Sequence, residues 1–425
     1  MSVRRLTVAL AALGIAAAAP AAAAPLDVIA RDYVALVLEF GEHEEGYVDA
    51  YYGPPEWAAA ARANKRSLGR LTADTAALRK RVAAENATGI DAARRSYLAA
   101  QLRALSARLA MRQGLRLDFA SEAEELFGVR PVLRPLKSYD AVLARIDRLV
   151  PGPGPLWQRV DDFRKRYEIP SDRLKPAMEA AIAECKARTA KHFALPEGEK
   201  FDLEFVSDKP WSGYNWYKGG YHSLIQINTD LPTAVSRAVD LGCHEGYPGH
   251  HVYNALLERE LVRGRGWTEF SVYPLYSPQS LIAEGSANYG IDLAFPKEQQ
   301  VAFETSTIYP IAGLDPAMAK ALVDLNRATR SLASASYTIA DDYLAGRISR
   351  DDAKALVQRY ELSSPARAEQ RMKFIDTYRS YIINYGLGRD LVQAHVESAG
   401  PSQAARWQAM EKLLSEPTLP GDLRK

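Results

Sequence analysis

Three of the seven histidines in this chain lie within eight positions, in the segment 244–251, which reads HEGYPGHH. Neutral imidazoles are good ligands for a catalytic zinc ion, and a neighbouring carboxylate such as Glu245 can move protons. Proline removes a backbone donor and clashes with the preceding helical turn, and glycine tolerates unusual dihedral angles. The segment therefore constrains the fold strongly, because the chain has to bend between the histidines.

The spacing of these histidines differs from that of a zinc motif on a straight helix. In the pattern H-E-x-x-H, two histidines four positions apart lie on one helical face, about one turn from each other. Here the fourth position after His244 is Pro248, and the next histidines are His250 and His251. On a straight helix His251 would lie ~10.5 Å further along the axis, and His250 would point ~120° away. We expect a break at Pro248-Gly249 that brings His250 or His251 back to the metal, and we prefer His250 as the second ligand. The other histidine could bind substrate or support the site.

A third metal ligand has to come from elsewhere in the chain. Glu284 is the strongest candidate, because it is a carboxylate in the otherwise small and uncharged stretch 283–290, AEGSANYG. The alternatives nearest in sequence are Glu258 and Asp292. Gly285 and Ala287 are small enough to let this stretch approach the helix that carries the first histidine. The pattern thus predicts a metal site built from two helical segments.

The residues around His244 allow more than one interpretation. Glu245 follows it directly, so it can reach a metal-bound water and act as a general base. Cys185 and Cys243 are the only cysteines; they could form a disulfide, or Cys243 could serve as a soft metal ligand. The alternative for the whole cluster is structural, with a kinked helix whose histidines cap a turn or pack in the core.

The first 24 residues have the composition of a secretory signal. Arg4 and Arg5 precede the apolar stretch 6–19, and Pro20 and a run of alanines follow, so we place the cut near Ala24. An uncleaved anchor is the alternative, although alanine is weakly apolar for a membrane span. Removing these residues leaves 52 basic and 52 acidic side chains. A neutral mature chain argues against a nucleic-acid or membrane-surface partner, and no later stretch is long and apolar enough for a stable membrane span. We therefore expect a periplasmic or secreted protein.

Hydrophobic periodicity predicts a mainly α-helical protein with a small β-sheet beside the candidate site. Helices are expected over 90–113 with Gly114 as a stop, over 176–193, and from a Ser349 cap to residue 360. Another is expected from Ser277 to just before Pro296. Strands are expected over 201–205 and 223–228, the latter leading into a helix that starts near Pro232 and runs to the first histidine.

The segment 151–155, PGPGP, is the clearest break in the chain. It divides an N-terminal helical layer, residues 25–155, from a catalytic region, residues 156–425. It is too short to act as a flexible linker, so we expect one compact unit.

Two motifs together resemble a known family. The sequence HExxPGHH at 244–251, followed by Glu284-Gly285, resembles the domain-of-unknown-function 885 family of bacterial, mostly exported proteins, and residues 118–129 are similar to its N-terminal half. The resemblance implies a helical zincin-like metallopeptidase fold. It implies one zinc ion on His244, His250 and Glu284, with Glu245 catalytic. Ser286 and Asn288 depart from the bulkier residues that the family pattern has after the glutamate.

Candidates for the rest of an active site are less specific. A tetrahedral oxyanion needs a donor besides the metal, and Tyr385, followed by Gly388 as in a C-terminal family pattern, is our first choice, with Tyr381 second. Strand 223–228 could pair with a peptide along its edge. His222 at its start could contact that substrate, or be a solvated loop histidine. Arg379 could hold a substrate carboxylate.

The sequence therefore predicts an exported zinc metallopeptidase acting on peptides. A zinc amidase acting on cell-wall peptides and a non-catalytic protein with a structural metal or histidine cluster are the alternatives. An open fourth coordination position would indicate catalysis, whereas a site closed by Cys243 or His251 would indicate a structural role. The chain shows neither a glycine-rich phosphate loop nor a serine nucleophile motif, so phosphoryl transfer and serine hydrolysis lack support.

Overall fold

The computed structural model describes residues 25–424, so the predicted signal segment lies outside the described residues. The described chain is mainly α-helical with two small sheets, which confirms the predicted fold class. Among residues 25–424, no helix combines the length and the apolar character needed to cross a bilayer.

Residues 25–424 contain 19 α-helices and five strands, linked by short 3₁₀ and π-helical turns. The helices are α1 (Pro25–Gly41), α2 (Pro55–Ala63), α3 (Leu68–Ala84), α4 (Gly89–Arg112), α5 (Phe119–Phe127), α6 (Asp140–Leu149), α7 (Leu156–Lys165), α8 (Ser171–Thr189), α9 (Val235–Leu241), α10 (His250–Leu257), α11 (Pro278–Ala294), α12 (Lys297–Phe303), α13 (Tyr309–Ala312), α14 (Ala319–Arg330), α15 (Ala335–Leu344), α16 (Arg350–Tyr360), α17 (Pro365–Tyr378), α18 (Arg389–Ser398) and α19 (Gln403–Ser415). The strands are β1 (Val48–Tyr51), β2 (Lys200–Val206), β3 (Gly213–Gly219), β4 (His222–Asn228) and β5 (Val272–Pro274).

Several helices follow directly from the sequence pattern. The leucines that recur along α4 are all buried, and Gly114, with φ of +103°, follows its end. Ser349 and Asp352 form the predicted capping box of α16, each side chain accepting from the other's backbone N–H. α11 has the predicted limits and is buried along almost its whole length. α8 begins at Ser171, earlier than predicted, so its proline lies inside the helix rather than at its start.

The helix before the histidine segment starts later than the sequence suggested. Pro232 precedes α9 instead of lying in its first turn. The reason is that Thr233 and Val235 exchange backbone hydrogen bonds with the 167–169 segment, at 2.8 and 2.9 Å, which keeps the entry to the helix extended.

The larger sheet has the strand order β2-β4-β3. Strand β4 is the predicted edge strand, but it pairs in parallel with β2 and antiparallel with β3, so both of its edges are occupied. β4 is therefore not an edge strand, and that prediction is wrong. The edge on the side of the candidate site belongs to β3, a strand that the sequence did not predict. The smaller sheet joins β1 to β5.

Buried apolar side chains from the N-terminal layer and from the remainder of the chain belong to one core. A buried ion pair crosses between them: Arg94 Nε on α4 lies 2.6 Å from Glu269 Oε1. Near the centre of the core, Cys185 on α8 forms a disulfide with Cys243, 58 positions away. The disulfide ties α8 to the turn that carries the first candidate ligand, and it removes Cys243 from the set of available metal ligands.

Candidate metal centre

The helix that carries the histidine segment is broken inside the motif. α9 ends at Leu241, residues 242–246 form one π-helical turn, and α10 begins again at His250. The peptide bond between Tyr247 and Pro248 is cis. Gly249 donates its N–H to Cys243 O at 3.0 Å, and a Cβ at this position would lie 1.8 Å from His244 O. Glycine is therefore required where the chain folds back against the preceding turn.

This fold-back brings three predicted ligands together. The Nε2 atoms of His244 and His250 are 3.2 Å apart, and Glu284 Oε2 lies 3.3 Å from His244 Nε2 and 3.8 Å from His250 Nε2. The side chains are 12, 12 and 7% exposed. A nearly dry cluster of two imidazoles and one carboxylate is unusual unless it holds a cation or a proton.

The residues fit a tetrahedral zinc ion. Two ligand atoms bound ~2.0–2.1 Å from one such ion lie about 3.3 Å from each other. Within the described residues Glu284 Oε2, the atom that faces both imidazoles, has no hydrogen-bond partner although it is buried. Burial opposes ionisation of Glu284, but the adjacent imidazoles of His244 and His250 outweigh this and lower its pKa well below the usual range. The carboxylate is thus charged and oriented toward the position of a shared cation.

Glu245 lies beside this cluster and is buried. One of its carboxylate oxygens lies within 4.8 Å of the imidazole nitrogens of His244 and His250. Burial raises the pKa of Glu245, and the two histidines partly oppose that rise. The backbone is fixed by Asn215, whose Nδ2 donates to Glu245 O at 2.7 Å. A Cβ on Gly213 would lie 2.7 Å from Glu245 Oε1, so the edge of β3 runs directly against the carboxylate.

Two tyrosines border the cluster from the C-terminal segment. Tyr381 donates its hydroxyl to Glu284 Oε1 at 2.9 Å and therefore orients that carboxylate. The ring of Tyr385 stacks near His244, with ring centres 6.4 Å apart, and faces the cavity. Burial raises the pKa of both phenols well above the usual value, so both are neutral hydrogen-bond donors at physiological pH.

Glycines hold these segments close together, but not in the predicted pairing. Gly285 approaches Gly388, where a Cβ on Gly285 would lie 2.6 Å from the Gly388 backbone. The prediction that Gly285 faces the segment of His244 is wrong. Gly290 lies against that segment instead, because a Cβ added to Gly290 would be 2.8 Å from Pro248. The glycine after Glu284 thus fixes the distance between α11 and the turn that carries Tyr385.

A cavity of about 400 Å³, here called the metal cavity, opens on the cluster. Its wall includes the three candidate ligands, Glu245, both tyrosines and the β3 residues 213–215. Asn288, one of the two departures from the family pattern, also lines the cavity and donates to Glu284 O at 2.8 Å. Ser286, the other departure, is fully buried and donates to Ala283 O.

His251 lies outside the ligand cluster, in a buried polar network. Its Nδ1 is 2.8 Å from Ser223 Oγ and its Nε2 is 2.8 Å from Glu199 Oε2. Glu199 also pairs with Lys186 at 2.5 Å and accepts from the Tyr247 hydroxyl. Both ring nitrogens of His251 are occupied, so it anchors the start of α10 and leaves His250 facing the cluster. Ser223 is fully buried, so this chain of hydrogen bonds offers no nucleophile to a substrate.

Four other candidates lie away from the cavity. His222 is at the far end of β4, where its Nε2 is 2.8 Å from Asp202 Oδ2. Arg379 donates to Glu122 at 2.8 Å. Of the alternative third ligands, Glu258 accepts from Tyr217 and Arg263. Asp292 pairs with Arg330 and Arg389 and lines a different cavity.

Further charged residues line the metal cavity. Asp49 on β1 is brought there by the pairing of β1 with β5 and accepts from the Tyr214 hydroxyl. Burial raises its pKa to about 7, against the opposing effect of His250. Arg237, Arg367 and Arg371 also line the cavity. No local pattern marks the three arginines, because only the tertiary fold selects them from 54 basic side chains.

Comparisons with known proteins give a fold and no family. No known family model matches the sequence, and no curated protein matches it. Among solved structures, the chain is similar to a candidate lipoprotein from Colwellia psychrerythraea, with 13% identity over 88% of this chain and 69% of that chain and a TM-score of 0.54. A candidate lipoprotein of unknown function from Shewanella oneidensis has 13% identity over 85% of this chain and 76% of that one, with a TM-score of 0.44. An M32 carboxypeptidase from Deinococcus radiodurans R1 has 13% identity over 94% and 93%, with a TM-score of 0.38. Only the first score supports a shared fold, so the functional argument rests on the side chains.

The Glu199 network predicts an acid-dependent loss of stability. Burial opposes ionisation of Glu199, but hydrogen bonds from His251, Lys186 and Tyr247 lower its pKa to about 2. The unfolded value is about 4.3, so the network's stabilisation is present above that pH and is lost as the pH falls toward 2. We expect Glu199→Gln to reduce the free energy of unfolding by about 3 kcal/mol at pH 7, and the difference from wild type to shrink toward pH 2.

Urea unfolding between pH 7 and pH 2.5 measures this difference. Glu197→Gln is the control, because Glu197 is an exposed residue of the same loop. If the difference in the free energy of unfolding between wild type and Glu199→Gln stays constant across this pH range, the role assigned to the carboxylate is wrong.

Proposed function

We propose that this protein is an exported zinc-dependent peptidase that hydrolyses peptide bonds. The observation that supports this most strongly is the buried convergence of His244, His250 and Glu284 on one point at the wall of an open cavity, with Glu245 beside it. Two imidazoles and a carboxylate are a ligand set of zinc hydrolases. Export is supported by the composition of residues 1–24 and by the disulfide, since such bonds persist in oxidising compartments.

The surroundings favour a catalytic site over a closed structural one. A structural zinc site needs a fourth protein ligand. Cys243 is held in the disulfide, and both ring nitrogens of His251 are hydrogen-bonded elsewhere. Cys243 and His251, the two residues that the sequence offered for closing the site, are thus both engaged elsewhere, which supports a fourth position that faces the metal cavity.

Zinc held by these ligands would supply a Lewis acid that acidifies water and polarises a substrate carbonyl. Glu245 is placed to accept the proton of the attacking water and to pass it to the leaving amine. Burial raises the pKa of Glu245, which makes its carboxylate a stronger proton acceptor. Tyr385, a neutral phenol at the cavity wall, would donate a hydrogen bond to the developing oxyanion. Tyr381 would hold Glu284 in position through its hydrogen bond.

The substrate backbone has a pairing surface on β3. Residues 213–215 line the metal cavity, and β3 has β4 on one side only. An extended peptide can add to such an edge through main-chain hydrogen bonds. Because Gly213 lies against the Glu245 carboxylate, a peptide paired there would run past the general base and the candidate metal ligands.

Zinc content of the purified protein is the first test. We expect about one zinc per chain in the wild type and loss of it in both His244→Ala and Glu284→Ala, because a three-ligand site does not retain zinc after loss of one ligand. His222→Ala is the matched control, since His222 is remote from the cavity and should leave the zinc content unchanged. Cleavage of a peptide library, followed by mass spectrometry, should depend on the metal. A wild-type protein that stays free of zinc when zinc is supplied would exclude this function.

A further inference from the structure

A second cavity, of about 920 Å³, lies beside the metal cavity and is here called the basic cavity. The two share wall residues, among them Arg237, Asn288, Arg367 and Tyr385. Nine arginines line the basic cavity against five acidic side chains. This excess contrasts with the chain as a whole, whose net charge is only +2. The positive charge is therefore concentrated next to the candidate catalytic site.

Some of these arginines are neutralised by neighbouring carboxylates. Arg330 and Arg389 each lie 2.7 Å from Asp292, and Arg327 lies 3.4 Å from it. One carboxylate thus serves three guanidinium groups. These arginines have a structural role that accounts for their presence in the wall.

In the described part of the chain, Arg164 and Arg367 have no such carboxylate partner, and Arg237 shares Asp240 with Arg330 at 3.6 Å. Arg237 and Arg367 lie at the junction of the two cavities. Arg164 donates only to neutral acceptors, Asn326 Oδ1 at 3.2 Å and Thr329 Oγ1 at 3.1 Å. Arg367 donates to Pro232 O at 3.1 Å, and among residues 25–424 neither guanidinium has a carboxylate within 4 Å. Arg237 donates to Ser212 Oγ at 3.1 Å and lies 3.6 Å from Asp240. These four hydrogen bonds all go to neutral acceptors.

The three guanidinium groups also repel one another. Burial, together with the positive charges of Arg367 and Arg237, lowers the pKa of Arg164 to about 10, against the opposing charge of Asp161. Burial and the charge of Arg237 lower the pKa of Arg367 as well, against Asp161 and Glu168. An anion placed among them would relieve this repulsion and satisfy several donors at once.

We propose that Arg164, Arg237 and Arg367 bind a carboxylate of the substrate, so that anionic peptides are the preferred substrates and their acidic part enters the basic cavity. This proposal rests on the proposed peptidase function. Guanidinium groups match carboxylates in a bidentate geometry, and the cavity volume suits a ligand of several residues. Arg237 precedes His244 by about two helical turns, ~10 Å, which an extended peptide spans in about three residues. The carboxylate is either the C-terminal one or an acidic side chain at that distance.

Binding of short peptides to the Glu245→Gln protein tests the proposal without turnover. The probes are acetyl-tetraalanine as the free acid and as the C-terminal amide, together with an acetylated, amidated tetrapeptide that contains one glutamate or, instead, one glutamine. Calorimetric titration gives the affinity of each, with and without added zinc. We expect the anionic member of at least one pair to bind about tenfold or more tightly, a difference that should shrink with added salt.

Arginine variants locate the effect. Arg367→Ala and Arg237→Ala shorten side chains that lie in the cavity wall and reach solvent, and they should abolish the preference for the anionic probe. Arg164→Gln should do the same if it folds. Arg81→Ala is the control, because Arg81 pairs with Asp32 on a remote surface. Preference within the alanine pair assigns the C-terminal carboxylate, and preference within the other pair assigns an acidic side chain. Equal affinities within both pairs, or a preference that survives Arg367→Ala and Arg237→Ala, would overturn the proposal. Because the test measures binding, it stays decisive even if the protein hydrolyses no peptide.

Discussion

Replacing Glu245 with glutamine is expected to abolish peptide hydrolysis while leaving zinc bound. Glutamine keeps the size of the side chain and its place beside Gly213, but it cannot accept the proton of the attacking water. General-base catalysis contributes typically ~10²–10⁴-fold to a rate, so kcat should fall by about a thousandfold. The metal ligands His244, His250 and Glu284 are unchanged, so the zinc content should stay near one per chain.

Two comparisons separate this effect from a loss of structure. Glu260→Gln changes a partly exposed glutamate that pairs with Arg259, and it should retain full activity. Circular dichroism and elemental analysis should show Glu245→Gln to be folded and loaded with zinc. If the folded, zinc-loaded variant hydrolyses peptides at the wild-type rate, Glu245 is not the general base.

Replacing Gly249 with alanine is expected to destroy the metal centre without touching a ligand. The added Cβ would lie 1.8 Å from His244 O and 2.5 Å from Cys243 O, and both contacts are with backbone. The fold-back between the π-helical turn and α10 must then open, which separates the imidazole of His244 from that of His250. We expect loss of zinc binding and a decrease of about 4 kcal/mol or more in the free energy of unfolding.

Gly69→Ala is the matched control for this variant. Gly69 lies in the first turn of α3, where a Cβ would meet no atom within 4 Å, so alanine should leave stability within about 1 kcal/mol of wild type or raise it. The measurements are zinc content and urea unfolding of both variants. A Gly249→Ala protein with wild-type zinc content would show that the backbone can relax around the added carbon, contrary to the structure.

Local chemistry made part of the site predictable. The break at Pro248-Gly249 follows from properties of those two residues, and His250 follows from the break. The isolated carboxylate of Glu284 was conspicuous because its neighbours are small and uncharged. The residues that indicate the break and the two candidate ligands lie next to them in the sequence, so these parts of the site could be predicted without the structure.

The remainder of the site depends on partners that are distant along the chain. Strand β3 contains Asn215 and Lys218 and begins and ends in glycine, so it has little alternating pattern, and it forms by pairing with β4. That pairing in turn makes β4 central. Arg379 was a reasonable candidate until its partner Glu122, 257 positions away, was known. The role of each such residue is decided by a long-range contact that no local pattern encodes.

The backbone contact between Gly285 and Gly388 limits how mutation can reshape the pocket. A side chain at either glycine would push α11 away from the 384–388 turn and so separate Glu284 from Tyr385. The width of this part of the cavity is therefore fixed by two backbones that touch. Asn288 and Phe374, in contrast, end in the cavity and can change size without moving either segment. New substrate preferences would therefore arise by substitution of side chains that line the cavity, such as Asn288 and Phe374. Gly285 and Gly388, whose backbones touch, can hardly be substituted.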